Sequence, residues 1–281
     1  MITAPTIVRR GAARIVVLAA ALLPLCALAG CQAPTARVVG AAATDLSPRS
    51  VTLAFDVEVT NHFMVPLPLA DLGWSIKGPS DATLLSAQAN LSQEGSIAPE
   101  SARTLRLPVT LDLAALAATV PAVRPGAVIP YSATLTFGTD VPGAGHQEWS
   151  ATRSGEFPVP APPTAVIRDV WLQPDGPGGV KGRFSLGVTN RNSFEVSLEH
   201  VDFSLRMDGQ TLVDGGTDRA VTLPPGQETQ VDVDVSFPRP DPTRVNIARM
   251  FASPEQAFVA AGSVRVGTRF GPVTLPFSTA P

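Results

Sequence analysis

Residues 51–60 alternate at every second position between two faces, one wholly apolar and the other polar except for Ala54. Val51, Leu53, Phe55, Val57 and Val59 fall on one face, and Thr52, Ala54, Asp56, Glu58 and Thr60 on the other. Period two predicts a half-buried strand, which ends in Val59-Thr60-Asn61. The pattern returns 129 residues later as Val180, Gly182, Phe184, Leu186 and Val188, ending in Val188-Thr189-Asn190. At the same offset, Leu72, Trp74 and Ile76 match Val201, Phe203 and Leu205, each set following a turn-like stretch at 62–67 or 191–196. A third match comes at an offset of 126: Leu105, Leu107, Val109 and Leu111 follow Pro99-Glu100, and Val231, Val233, Val235 and Phe237 follow Pro225-Gly226. The second copy therefore lacks three residues, and Asp208-Gly209, a dipeptide favoured in tight hairpins, predicts where.

Each copy closes with further strands, Tyr131–Phe137 and Glu148–Val159 in the first, Ser263–Phe270 and Pro272–Phe277 in the second. Ala-rich Leu113–Val120 predicts a helix of about two turns. Pro242–Phe258 is predicted to be helical in part. Pro158–Thr164 reads as a stiff, extended Pro-rich linker. About seven short strands per copy, in roughly 115–120 residues, predict an all-β chain. Its architecture is two tandem immunoglobulin- or fibronectin III-like antiparallel β-sandwiches, each with a short helix. The sandwiches are assigned to residues 36–157 and 165–279, with 158–164 between them.

Composition fits this picture. The 28 Pro and 23 Gly make about 18% of 281 residues, below the roughly 25–30% of low-complexity chains. Many turns between many strands account for them.

Residues 1–30 follow the pattern of a secretory leader. Arg9, Arg10 and Arg14 form a positive start, Ile15–Leu23 an uncharged apolar run, and small residues precede Cys31. The run is far shorter than the ~20 residues that span a bilayer. Leu28-Ala29-Gly30-Cys31 resembles the lipobox of bacterial lipoproteins. That resemblance implies diacylglyceryl transfer to the Cys31 thiol and cleavage before Cys31. Residues 31–35 would then form a short tether. Gln32, where inner-membrane retention favours Asp, points by the same resemblance to a Gram-negative outer membrane facing the periplasm.

Cleavage would remove Cys26, the only other cysteine, so no disulfide and no Cys-based metal site is expected. It also removes three Arg and no acid, leaving 18 basic against 24 acidic residues, a net −6. That balance argues against nucleic acid as a partner and against docking on anionic lipid by charge. The expected membrane contact is through lipid on Cys31.

Both copies resemble the water-stress-and-hypersensitive-response (WHy) domain of the late embryogenesis abundant type 2 proteins. The resemblance rests on an alternating strand ending in Asn, a hydrophobic stretch, a Pro/Gly turn and an alternating valine strand. Here these are Phe55–Asn61, Leu67–Ile76 and Ile97–Leu111, with partners Phe184–Asn190, Val196–Leu205 and Leu223–Phe237. His62 and Arg191 stand where the family often has Pro. The resemblance implies a non-catalytic, cofactor-free β-sandwich associated with desiccation or osmotic stress, or with binding an envelope or client protein. The alternative is an envelope assembly or trafficking module that binds a partner through sheet edges or loops.

The residues carry little catalytic chemistry. His62, His146 and His200 lack metal-ligand spacing. Ser185, in Gly182–Gly187, lies within a strand, where a nucleophile elbow would need a strand-to-helix turn. Asp175–Gly179 reads as a hairpin connection, and Asp232 and Asp234 as a solvated strand face. No small-molecule substrate is evident. Asn61 and Asn190 are expected to cap their turns by accepting a backbone N–H; a ligand contact from the same loop ends is the other reading. Trp74 is expected in the core, and an exposed Trp149 or Trp171 would mark a binding surface.

Overall fold

The computed structural model describes residues 33–141, 145–176, 178–240, 252 and 257–279. The leader with Leu28, Ala29, Gly30 and Cys31 lies outside them, as does most of the Pro242–Phe258 segment expected to be partly helical.

The first copy contains β1 (Thr35–Leu46), β2 (Ser50–Asn61), β3 (Leu67–Pro68), β4 (Asp71–Lys77), β5 (Thr83–Asn90), β6 (Ser96–Ile97), β7 (Ser101–Asp112), α1 (Leu113–Thr119), β8 (Val128–Val141) and β9 (Gly145–Pro158). The second contains β10 (Thr164–Asp175), β11 (Gly179–Thr189), β12 (Val196–Met207), β13 (Gln210–Leu223), β14 (Glu228–Pro238), β15 (Phe258–Thr268) and β16 (Gly271–Ser278). Each copy stacks a three-stranded sheet on a four-stranded one. The orders are β1-β2-β7 with β5-β4-β8-β9, and β10-β11-β14 with β13-β12-β15-β16. All pairings are antiparallel, and the chain is an all-β tandem of sandwiches. Several strands run 12–14 residues, longer than the short strands expected.

The inward residues of β2 (Val51 to Val59) and of β14 (Val231 to Phe237) are all buried. Each fully buried Val, Leu or Phe contributes about 1.5–3 kcal/mol. The copies form separate cores, and Leu46 at the end of β1 packs against both.

The strands β1 and β10 escape the periodicity because of bulges, at Val39 and Thr44 in β1 and at Arg168 in β10. Each extra residue reverses which parity faces inward, so neither alternates throughout.

Pairing register also relocates the three missing residues. Ile76 pairs with Leu85 and Leu205 with Val213, so the offset on the β5 side is already 128. Leu67 pairs with Ile97 and Val196 with Leu223, which gives 126. One residue is thus lost at Asp208-Gly209, and two more where the first copy makes a 3-10 turn at Ser92–Glu94. The second copy crosses that stretch within continuous β13.

The segment 159–163 is held against both sandwiches. Val159 and Ala161 are buried. The Asn192 side chain receives the Ala161 N–H (2.8 Å) and donates to the Ala161 carbonyl (3.2 Å). Gly126, before β8, donates to the Val159 carbonyl (2.7 Å) and accepts from the Ser193 N–H (2.8 Å).

Candidate functional site

Asn61 and Asn190 share three bonds at equivalent positions at the ends of β2 and β11. Both are essentially buried. The Asn61 Oδ1 accepts the Phe63 N–H (2.9 Å), and its Nδ2 donates to the carbonyls of Val65 (2.9 Å), Ile97 (3.1 Å) and Ala98 (3.0 Å). The Asn190 Oδ1 accepts the Asn192 N–H (2.9 Å), and its Nδ2 donates to the carbonyls of Phe194 (2.8 Å) and Leu223 (2.9 Å). Acceptance from residue i+2 is the Asx turn that tolerates the sharp exit from the strand. Donation across to Ile97 or Leu223 latches the loop to the neighbouring turn. Each amide is consumed by the fold, which leaves neither free for a ligand.

The two latched loops do different things. In the second copy, residues 190–194 form the junction with the first sandwich through Asn192, Ser193 and Gly126. Beside it, Arg269 reaches Glu156 of the first sandwich at 3.0 Å and lies 4.6 Å over the Phe270 ring. A cleft of about 280 Å³ opens here, lined by Leu53, Tyr131, Arg153, Glu156, Arg269 and Phe270. Burial raises the Tyr131 phenol above its usual range, and Arg153 partly offsets this. In the first copy, the matching loop carries exposed Met64 and Val65.

A shallower polar groove of about 530 Å³ lies over the outer face of β4 and β8. Gly73 and Gly138 line its floor, the His146 ring lying against Gly138, and Asp71, Gln88, Thr134 and Glu148 stand round it. It contains two carboxylates and hydroxyls but no nucleophile–base pair.

The outer face of β10-β11-β14 places Trp171, Arg183 and Asp234 in one cross-strand row. Trp171 is 54% exposed. Arg183 bonds Asp234 at 2.8 Å. Asp232 accepts from Ser185 (2.7 Å) and Gln230 (3.0 Å), so the two acids serve local pairs and do not converge. Ser185 points to the outer side but is covered there, 8% exposed. Arg168 bonds Glu228 through both carboxylate oxygens and holds its carboxyl below the usual range. Of the other tryptophans, Trp149 packs against the first core. Trp74 does too, with its indole Nε1–H enclosed and unpartnered.

The histidines do not meet. His62 approaches Thr35 (3.5 Å) and His146 approaches Glu148 (3.7 Å). His200 is bracketed by Asp218 (2.6 Å) and Asp202 (3.1 Å), and these hydrogen bonds, Asp218 first, raise its pKa. Periodicity could not show this pair, because Asp218 lies on β13, opposite His200 in the register. Among the described residues no group of three or more His, Cys, Asp or Glu could hold a metal ion. No helix among them is long and apolar enough to cross a membrane.

The described residues form a duplicated antiparallel β-sandwich whose two loop asparagines are bonded within the fold. Residues 185–280 match the family described as late embryogenesis abundant protein. No curated protein matches the chain. Among solved structures, a protein from Archaeoglobus fulgidus is 15% identical over 45% of this chain and 95% of its own, with a TM-score of 0.33. A late embryogenesis abundant protein is 19% identical over 48% of this chain and 76% of its own (TM-score 0.39). A protein of Arabidopsis thaliana is 19% identical over 45% and 82% (TM-score 0.35). At such TM-scores these likenesses add nothing to the fold described above.

Proposed function

We propose that the chain is a non-catalytic lipoprotein of the bacterial cell envelope, built from tandem WHy-type domains of late embryogenesis abundant type 2. It is anchored through lipid on Cys31, facing the periplasm, and serves in desiccation or osmotic stress by protecting or binding client proteins. One observation carries the tandem reading. The family match covers only the second sandwich, yet Asn61 makes in the first sandwich the bonds that Asn190 makes in the second. The lipobox Leu28-Ala29-Gly30-Cys31 supports the anchor.

Two measurements test this. Replacing Cys31→Ala should move the chain from the membrane fraction to the soluble one; an unchanged distribution refutes the anchor. Deleting the gene should lower survival after drying or osmotic upshift, and equal survival refutes the protective role. A second reading, an assembly module that binds another envelope protein, is favoured by Trp171 exposed beside the open edge of β10.

A further inference from the structure

Pro34 is buried and β1 starts at Thr35, so the ordered sandwich begins almost at Cys31. Three Cα–Cα steps separate Cys31 from Pro34, a reach of at most about 11 Å. Thr35 pairs with Thr60 and touches His62. The chain therefore enters the sandwich beside loop 62–66. The Asn61 latch gathers this loop and the turn Ala98–Glu100 into one tip, and Glu100 N–H donates to the Phe63 carbonyl (3.1 Å). At that tip Met64 is 84% and Val65 50% exposed, and Pro66, Ala98 and Pro99 are exposed as well.

The second copy shows what the fold itself requires. At the 129 offset, Met64, Val65 and Pro66 correspond to Ser193, Phe194 and Glu195. Phe194 is buried against Phe270, and the two solvent-facing positions are Ser and Glu. The same latched loop is thus stable with polar residues outside. Exposed Met64, Val65 and Pro66 are a departure that the sandwich does not need.

We infer that loop 62–66, with Ala98 and Pro99, is a second membrane contact, which inserts Met64 and Val65 into the bilayer interface beside the Cys31 anchor. This rests on the lipidation of Cys31 proposed above. Each headgroup layer is about 5–7 Å deep, and a tether of at most about 11 Å keeps the point of entry into the sandwich, and the tip beside it, within reach of that layer. The tip carries no Lys or Arg, and the chain without its leader is net acidic, so the contact is apolar and independent of anionic lipid. A protein partner fits less well, because a stable interface buries about 800 Å² per partner and this tip offers five exposed apolar side chains beside Glu100. Lipid plus a small apolar contact fixes which end of the first sandwich faces the membrane.

The test uses the full chain, expressed with its leader and purified in detergent. Cleavage and lipidation leave no free thiol, so Met64→Cys takes a polarity-sensitive dye at one place. Gln210→Cys, in the hairpin at the far end of the second sandwich, is the control. Both are reconstituted in phosphatidylcholine vesicles, and mass spectrometry reads the lipid on Cys31. The dye at 64 should shift to the blue and lose access to an aqueous quencher, with the dye at 210 unchanged. A lipidated chain whose dye at 64 is as accessible as that at 210 overturns the membrane contact alone. A mass without lipid overturns the anchor and the contact together. A shift that appears only when Met64 dye is read in lipid-free chain aggregates, and vanishes on dilution, assigns the tip to self-association and also overturns the contact.

Discussion

Gly126 in the first sandwich lies against Arg191 in the second: a Cβ on Gly126 would stand 2.3 Å from the Arg191 carbonyl oxygen. Gly126 also has φ of +85°, which disfavours a side chain. Gly126→Ala is therefore expected to destabilise the chain by more than about 1–3 kcal/mol, since strain and overlap add. Gly209→Ala, with φ of +80° and nothing within 4 Å, should cost only about 1 kcal/mol. Denaturant midpoints of the two variants check this; equal losses would show that the junction yields freely.

The Asn latches give a second expectation. Asn190→Ala leaves the carbonyls of Phe194 and Leu223 buried without their donor, at about 1–3 kcal/mol for each unsatisfied group. Asn190→Asp keeps the acceptor for the Asn192 N–H but aims a carboxylate at those carbonyls, so it should not rescue the loss. Asn61→Ala should cost a similar amount in the first sandwich. Because the two sites share no partner, the double variant should lose the sum of the single losses within about 0.5 kcal/mol.

His200 makes stability depend on pH. Asp218 and Asp202 raise its folded pKa above the unfolded value of about 6.5. The folded state then holds a proton that the unfolded state releases first. The contribution is complete below about pH 6.5 and is lost as pH rises through the raised folded value. An NMR titration of the His200 ring should show the elevated midpoint, and Asp218→Asn should lower it. A midpoint indifferent to that change would mean the hydrogen bond is not held in solution.

Trp171 should matter little to folding. The first sandwich has Ala42 at the corresponding bulge-adjacent position of β1, facing Ala54 as Trp171 faces Arg183. Trp171→Ala is expected to shift stability by no more than about 0.5 kcal/mol. If the outer face of β10-β11-β14 binds a client, the same change should weaken capture of that client. A large stability loss would assign Trp171 to packing.

The candidate sites were unevenly legible. Asn61 and Asn190 could be picked out because each ends an alternating strand, and a strand end needs a residue that bonds its own backbone. Which carbonyls their Nδ2 groups would reach was not legible, since Ile97 and Leu223 are more than 30 residues away. His200–Asp218 was hidden because the two residues, 18 apart in sequence, meet only through the β12–β13 register. The tip formed by Met64 and Val65 was hidden differently. Apolar residues in a loop look like core until the matching Phe194 is seen to be buried and Val65 is not.

The sequence by itself determined the alternating strands, the duplication and the two sandwiches, because period-two burial is written residue by residue in Val51–Val59 and Val180–Val188. It also determined that three residues are missing from the second copy. Only the tertiary structure decided where they are missing, since bulges and a 3-10 turn let register shift without leaving a mark in the pattern. It alone decided that 159–163 is clamped by Asn192, and that one latched loop is spent on the junction while the other is left bare. Those outcomes depend on which surfaces meet across sequence-distant segments, and local alternation carries no record of that.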